Sequence, residues 1–146
     1  QYLTELHQLF MQKIIRPQMR QKGFHAIQKH KDLGHAIVGI TATSDFITAP
    51  IFREFGITEI IATNAEVKDG YYTGKVAGTP CYQKGKLVRL EQWLAGREVD
   101  ESWAYSDSIN DRFLLEYATH AIAVNPDHRL EQLAKEQGWQ IQDWSI

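Results

Sequence analysis

From residue 36 onward, short apolar runs alternate with amphipathic segments, and this pattern constrains the fold more than any other feature. Residues 36–40, Ala-Ile-Val-Gly-Ile, are apolar throughout and only strand-length. Continuous apolarity marks a strand covered on both faces, whereas a half-exposed strand would alternate. Residues 57–63, 103–105, 121–124 and 139–144 read as further strands. Residues 46–55, 87–96, 109–118 and 130–137 read as helices, with Gly56, Gly96 and Gly138 at or just past three of their ends. Pro50 is expected in the first turn of its helix, and Thr41-Ala-Thr-Ser-Asp45 as a polar loop. Strands separated by helices imply an α/β fold, a Rossmann-like and mostly parallel sheet with flanking helices.

Two stretches depart from this alternation. Before residue 35 the chain reads as helical. Leu3, Leu6, Phe10 and Ile14 form one apolar stripe, Pro17 interrupts it, and a second helix runs over 17–31 with Met19, Phe24 and Ile27 as its apolar marks. Residues 65–84 read as a β-hairpin excursion, with Asp69-Gly70 as the turn and Tyr71, Tyr72, Thr73 and Val76 favouring extended backbone.

Composition narrows the function classes. A chain of 146 residues, 43% hydrophobic and 23% charged, is expected to be one globular domain. The net charge of −2 comes without a basic run, so no nucleic-acid partner is expected. No apolar stretch approaches the roughly 20 residues of a membrane span. Cys81 is the only cysteine, which rules out an intrachain disulfide and points to a reducing, cytoplasmic setting. The six histidines form no His-Glu-x-x-His pattern, and one cysteine cannot complete a usual zinc site.

Parallel sheets bind ligands at the carboxyl ends of their strands. Three such places carry polar groups: Thr41, the loop Asp107-Ser-Ile-Asn-Asp111, and Asn125-Pro-Asp127. Asp107 and Asp111 have two readings. They could collect around Mg²⁺, which takes carboxylate, water and phosphate oxygens. They could equally cap the following helix. Thr41 reads either as a donor to a phosphate oxygen or as a local backbone partner. Lys86 reads either as a fixed positive charge or as a solvated helix residue.

The order of these pieces adds a further signal. Residues 40–46 (Ile-Thr-Ala-Thr-Ser-Asp-Phe), 78–81 (Gly-Thr-Pro-Cys), 85–90 (Gly-Lys-Leu-Val-Arg-Leu), 105–111 (Tyr-Ser-Asp-Ser-Ile-Asn-Asp) and 123–127 (Ala-Val-Asn-Pro-Asp) together resemble the haloacid dehalogenase superfamily. They are most similar to its phosphoserine-phosphatase-like branch. The resemblance covers about residues 20–144 and implies a Mg²⁺-dependent phosphomonoester hydrolase acting through an aspartyl-phosphate. It implies that Thr41 and the adjacent Ala42 hold the transferring phosphoryl group and that Lys86, with Lys84 as a weaker alternative, neutralises charge there. It further implies that Asp107 ligates Mg²⁺, that Asp111 acts on the metal through water or orients Lys86, and that Asn110 bonds substrate or nucleophile. The implied partner is a small phosphorylated metabolite such as a phospho-amino acid.

One family motif is absent. No two of the aspartates, at 32, 45, 69, 100, 107, 111, 127 and 143, are separated by a single residue, so there is no Asp-x-Asp nucleophile. The expectation is that residues 1–16 are a helical remnant of the family's cap and that 17–146 are a core lacking its first strand. Such a chain is expected to be inactive alone. It is also expected to dimerise through the gap or to pair with a missing N-terminal segment. The alternative is a non-catalytic binding or oligomerisation module. A phosphoacceptor receiver domain also uses Asp, Thr and Lys, but its acidic residues precede the other two, the reverse of the order here.

Overall fold

The first apolar run does form a strand, β1 (Val38–Ser44), but the strand begins and ends later than expected. The computed structural model, which describes residues 2–15, 18–78 and 80–145, shows no polar loop after Ile40. β1 instead continues through Thr41 and Thr43, whose β-branched side chains favour extended backbone. It passes straight into α3 (Asp45–Glu54), with Ser44 accepting a bond from the Phe46 amide at 3.3 Å. β1 runs parallel to β2 (Glu59–Lys68). Ile40 pairs with Ile61 and Ser44 with Thr63, so residues 41–43 of β1 face a single residue of β2 and form a bulge. Pro50 lies in the second turn of α3, not the first, because the Ser44 cap starts the helix at Asp45.

β2 passes its expected end and turns at Asp69 and Gly70, both at positive φ (52° and 81°). That pair of angles suits a two-residue hairpin turn. β3 (Tyr71–Ala77) then returns antiparallel to β2. α4 (Lys84–Leu94) follows, and then β4 (Trp103–Ser106). The helix expected at 109–118 is split into a 3₁₀ turn (Ile109–Asp111) and α5 (Arg112–Tyr117). β5 (His120–Val124), α6 (His128–Gln137) and β6 (Gln140–Gln142) complete the order.

The strands form two three-stranded sheets, β1-β2-β3 and β4-β5-β6, and every pairing except the hairpin is parallel. Among the described residues no ladder joins β1 to β4, so each has one edge without a strand partner. The helix α2 (Gln21–Asp32) touches both halves. Its Phe24 stacks on Phe55 at 4.4 Å, and its His30 Nε2 meets the Tyr105 hydroxyl of β4 at 2.7 Å. The second half-sheet has the denser core, where Leu115, Ala121, Ala123, Leu130 and Ala134 are buried together.

The N-terminal stripe is corrected by the structure. α1 (Tyr2–Phe10) leads into one π-helical turn (Met11–Ile15). Leu6 is 50% exposed and Phe10 37%, while His7 and Met11 are buried. The helix turns its 7/11 edge toward α3, where the His7 ring bonds the Ile47 carbonyl at 2.8 Å. The side chains of Leu3 and Ile14, Pro17, and Thr79 of the 78–81 motif lie outside the described residues. No described helix is long and apolar enough to cross a membrane.

Candidate active site

Asp107 and Asn125 follow the ends of β4 and β5 directly, whereas Thr41, expected at a strand end, lies inside β1. Lys86, near the start of α4, is only 7% exposed. Its ammonium donates to Asp111 Oδ1. Asp111 Oδ2 accepts from the Ser106 hydroxyl at 2.5 Å, and Ser106 Oγ accepts from the Ser108 amide at 3.1 Å. Gly85 makes this close packing possible, since a Cβ there would lie 2.3 Å from the Pro80 carbonyl oxygen. The neighbouring Lys84 goes elsewhere, its ammonium 5.6 Å from the centre of the Phe113 ring. Burial therefore separates two lysines that sequence chemistry leaves alike.

Thr41 lies in the β1 bulge with Ala42, both half-buried. Its hydroxyl accepts from the Thr43 amide at 3.2 Å, the local backbone bond that was one of its two readings. Its own amide hydrogen-bonds the Cys81 sulfur. Cys81 is fully buried, its amide donating to Thr63 Oγ1 at 3.0 Å. Burial pushes the Cys81 thiol up from its ordinary value, against the pull of the Lys86 and Arg89 charges and the Thr41 amide. The Asp111 charge acts on the same thiol in the opposite sense, raising it.

The acidic loop was open to a capping reading, and the structure assigns capping to other residues. Ser108 caps the 3₁₀ turn by accepting from the Asn110 amide at 3.2 Å. Asp127 caps α6 by accepting from the Leu130 amide at 2.8 Å, and its other oxygen takes the Ile109 amide at 3.0 Å. Asp111 makes no cap bond, being engaged with Lys86 and Ser106. Its carboxylate thus contacts Lys86 directly. Asn110 and Asp107 are exposed. Among the described residues the Asp107 carboxylate has no hydrogen-bond or ion-pair partner. It lines a cavity of about 330 Å³ at the ends of β4 and β5, with Arg20, Tyr105, Ser106, Asn125 and Trp144. A larger cavity, about 670 Å³, lies between α1 and α3 and includes none of these strand-end residues.

Among the described residues no group of three or more His, Cys, Asp or Glu converges as a metal cage. Asp107 by itself still fits the way Mg²⁺ is held with a substrate, through one or two carboxylates with water and phosphate oxygens completing the shell. Sequence reasoning missed Ser106 and Arg20. Ser106 could have been suspected from its place immediately before Asp107, but Arg20 sits in no motif.

The fold is a mostly parallel α/β core with Thr41 on β1, Lys86 near the start of α4 and Asp107 just past β4, and comparison with known proteins identifies its class. Residues 1–116 match the haloacid dehalogenase-like hydrolase family, so this is a member of that family. It is 41% identical over 145 residues to the histidinol-phosphatase of Neisseria meningitidis serogroup C (strain 8013), a match over 95% of this chain and 65% of that protein. It is 40% identical over 121 residues to a phosphoserine phosphatase of Mycobacterium tuberculosis (strain ATCC 25618 / H37Rv), covering 82% of this chain and 39% of that one. The chain thus spans between about two-fifths and just under two-thirds of the length of these relatives. The crystal structure of a protein of unknown function from Bordetella pertussis Tohama I superposes with a TM-score of 0.94 at 42% identity, over 99% of this chain and 67% of that one. A substrate-bound phosphoserine phosphatase shares the fold, with a TM-score of 0.63 at 23% identity over 82% of this chain and 56% of that one.

Proposed function

We propose that this chain is the core part of a Mg²⁺-dependent phosphomonoester hydrolase, with residues 1–16 belonging to its cap and 17–146 to its core. The observation that carries the reading is the buried Lys86, held by an Asp111 that Ser106 also bonds. A desolvated ammonium at fixed geometry stabilises charge on a transferring phosphoryl group far more than a solvated one does. The Thr41 hydroxyl and Ala42 amide supply donors to the phosphoryl oxygens, and Asn110 bonds substrate or nucleophile. Mg²⁺, when bound through Asp107, would neutralise charge on those same oxygens.

The chain itself contains no Asp-x-Asp. A strand ending in that motif would find unpaired edges on both β1 and β4, and it would bring its carboxylates between Thr41 and Asp107. The relatives' names support a small phosphorylated amino acid or amino alcohol as substrate.

The test is phosphate release from phosphoserine, histidinol phosphate and p-nitrophenyl phosphate. The 146-residue chain alone is expected to release none. The same chain produced with an upstream strand that ends in Asp-x-Asp is expected to hydrolyse at least one of them with Mg²⁺. Lys86→Met should lower that rate by roughly a hundredfold or more, as loss of an oxyanion-stabilising group does. Turnover by the chain alone would overturn the missing-nucleophile reading. No turnover by the extended protein would overturn the phosphatase reading itself.

A further inference from the structure

The cavity beside Asp107 contains a cation that no strand-end motif accounts for. α2 runs antiparallel to the strands it covers, as its contacts show in turn. His35, just beyond its end, stacks on Trp103 at the start of β4 at 4.6 Å, and His30 meets Tyr105 further along that strand. Arg20, immediately before the helix, reaches Asn125 just past the end of β5, its Nη1 donating to Asn125 Oδ1 at 2.9 Å. The amino end of α2 therefore stands over the carboxyl ends of the strands, where ligands of parallel sheets bind.

Asn125 is built to hold that guanidinium. Its backbone is left-handed, with φ at 42°. Its amide nitrogen donates to Asp143 Oδ1 at 2.7 Å and to Ser145 Oγ at 3.1 Å, which fixes which way the amide faces. Its oxygen is thereby turned toward Arg20 and the Trp144 amide, the latter at 2.8 Å. The Asp107 loop shares this base, because the Asp127 amide donates to the Asp107 carbonyl at 2.9 Å. Arg20 and Asp107 line the same cavity, yet no ion pair joins them among the described residues. A carboxylate and a guanidinium set apart in one cavity suit a ligand that offers a cation to one and an oxyanion to the other.

The geometry points to Arg20 as a second cationic anchor of this site. Its guanidinium binds phosphoryl oxygens of the substrate across the cavity from Asp107, and Asn125 is the residue that positions it. The inference rests on the phosphatase reading above. Only one of the five guanidinium N–H groups is engaged by Asn125, which leaves donors for a forked contact to an oxyanion.

The experiment is calorimetric titration of the intact protein with inorganic phosphate in Mg²⁺, paired with steady-state kinetics on phosphoserine and histidinol phosphate. Arg20→Gln is expected to weaken phosphate binding by roughly tenfold or more, the usual scale for a lost charge-assisted bond. Arg20→Lys should restore part of that loss, and Asn125→Ala should weaken binding less than Arg20→Gln does. Because Asn125→Ala also loosens the 143–145 segment, the Arg20 pair of variants decides the matter. Unchanged phosphate affinity with a raised KM would place Arg20 on the leaving group and overturn the phosphoryl assignment. Unchanged affinity and KM with a lower melting temperature would make Arg20 a structural tie and nothing more. A wild-type protein that binds no phosphate, with Lys86→Met no different, would instead overturn the phosphatase reading on which the assignment stands.

Discussion

A lysine that is 7% exposed must keep its charge partnered, and Lys86 does so through an aspartate that a serine also holds. Removing one partner of such a pair costs more than the pair itself contributes, because the other charge stays buried and uncompensated. Asp111→Ala is therefore expected to lower unfolding free energy by about 3 kcal/mol. The double variant with Lys86→Met should recover part of the loss, and urea unfolding measures both. A second residue-scale effect concerns His30, whose Nδ1 lies 2.9 Å from His35 Nδ1. Burial, then the His35 charge, then Lys29 lower its pKa from the usual value near 6.5. The folded state thus favours neutral His30, so the stability it contributes is present above that ordinary value. It is lost as pH falls through 6.5 toward the lowered value. Urea midpoints should drop as pH falls below about 6.5, and His30→Gln should flatten the slope. Neither feature can be read from composition. His30 looks like a surface helix residue, as the exposed His25 indeed is, until Tyr105 and His35 are brought beside it. Resemblance favours Lys86 over Lys84, and what separates them physically is Asp111, 25 residues away.

At the scale of elements, two glycines fail for opposite reasons when replaced. A Cβ at Gly39 in β1 would lie 2.5 Å from the Phe52 ring of α3, so Gly39→Ala forces the helix off the strand. A cost of about 1–3 kcal/mol is expected, the range for overpacking, and the shift should reach the Thr41 bulge two residues on. Gly70 has nothing within 4 Å but sits at φ 81°, so Gly70→Ala should cost only its backbone strain, about 1 kcal/mol. Denaturant midpoints separate the two cases. If only Gly39→Ala also lowers activity in the intact protein, the bulge is what the strand–helix packing positions. The Asp69-Gly70 turn was legible because positive φ has a residue signature. The bulge was not, because Thr-Ala-Thr-Ser reads as a polar loop when its partner strand is unknown. The split of the 109–118 helix was hidden for a similar reason. Its first turn is pinned by Asp127, which belongs to another loop.

At the scale of the molecule, the alternation of strands and helices fixed the layers and the parallel sense of the sheet, but not its division. That division depends on which strand edges meet, and no local pattern encodes it. β5 is paired on both sides and four of its five residues are buried. β2 is likewise flanked on both sides, by β1 and β3. β1 and β4 are each paired on one side only among the described residues, while α2 and the Lys86–Asp111 pair cross between the two halves. Backbone amides on an open edge exchange without breaking a ladder bond, whereas those of a doubly flanked buried strand need subglobal opening. In the 146-residue chain, native-state hydrogen exchange should therefore protect β5 most. Amides of β1 and β4 on their open sides should exchange several orders of magnitude faster, near the rate of local fraying. Supplying a strand that ends in Asp-x-Asp should slow those two sets of amides together and leave β3 and β6 unchanged. Protection of β1 without β4 would mean that the strand docks on one half-sheet alone, and the site would then lack the geometry that places Thr41 and Asp107 on either side of a nucleophile.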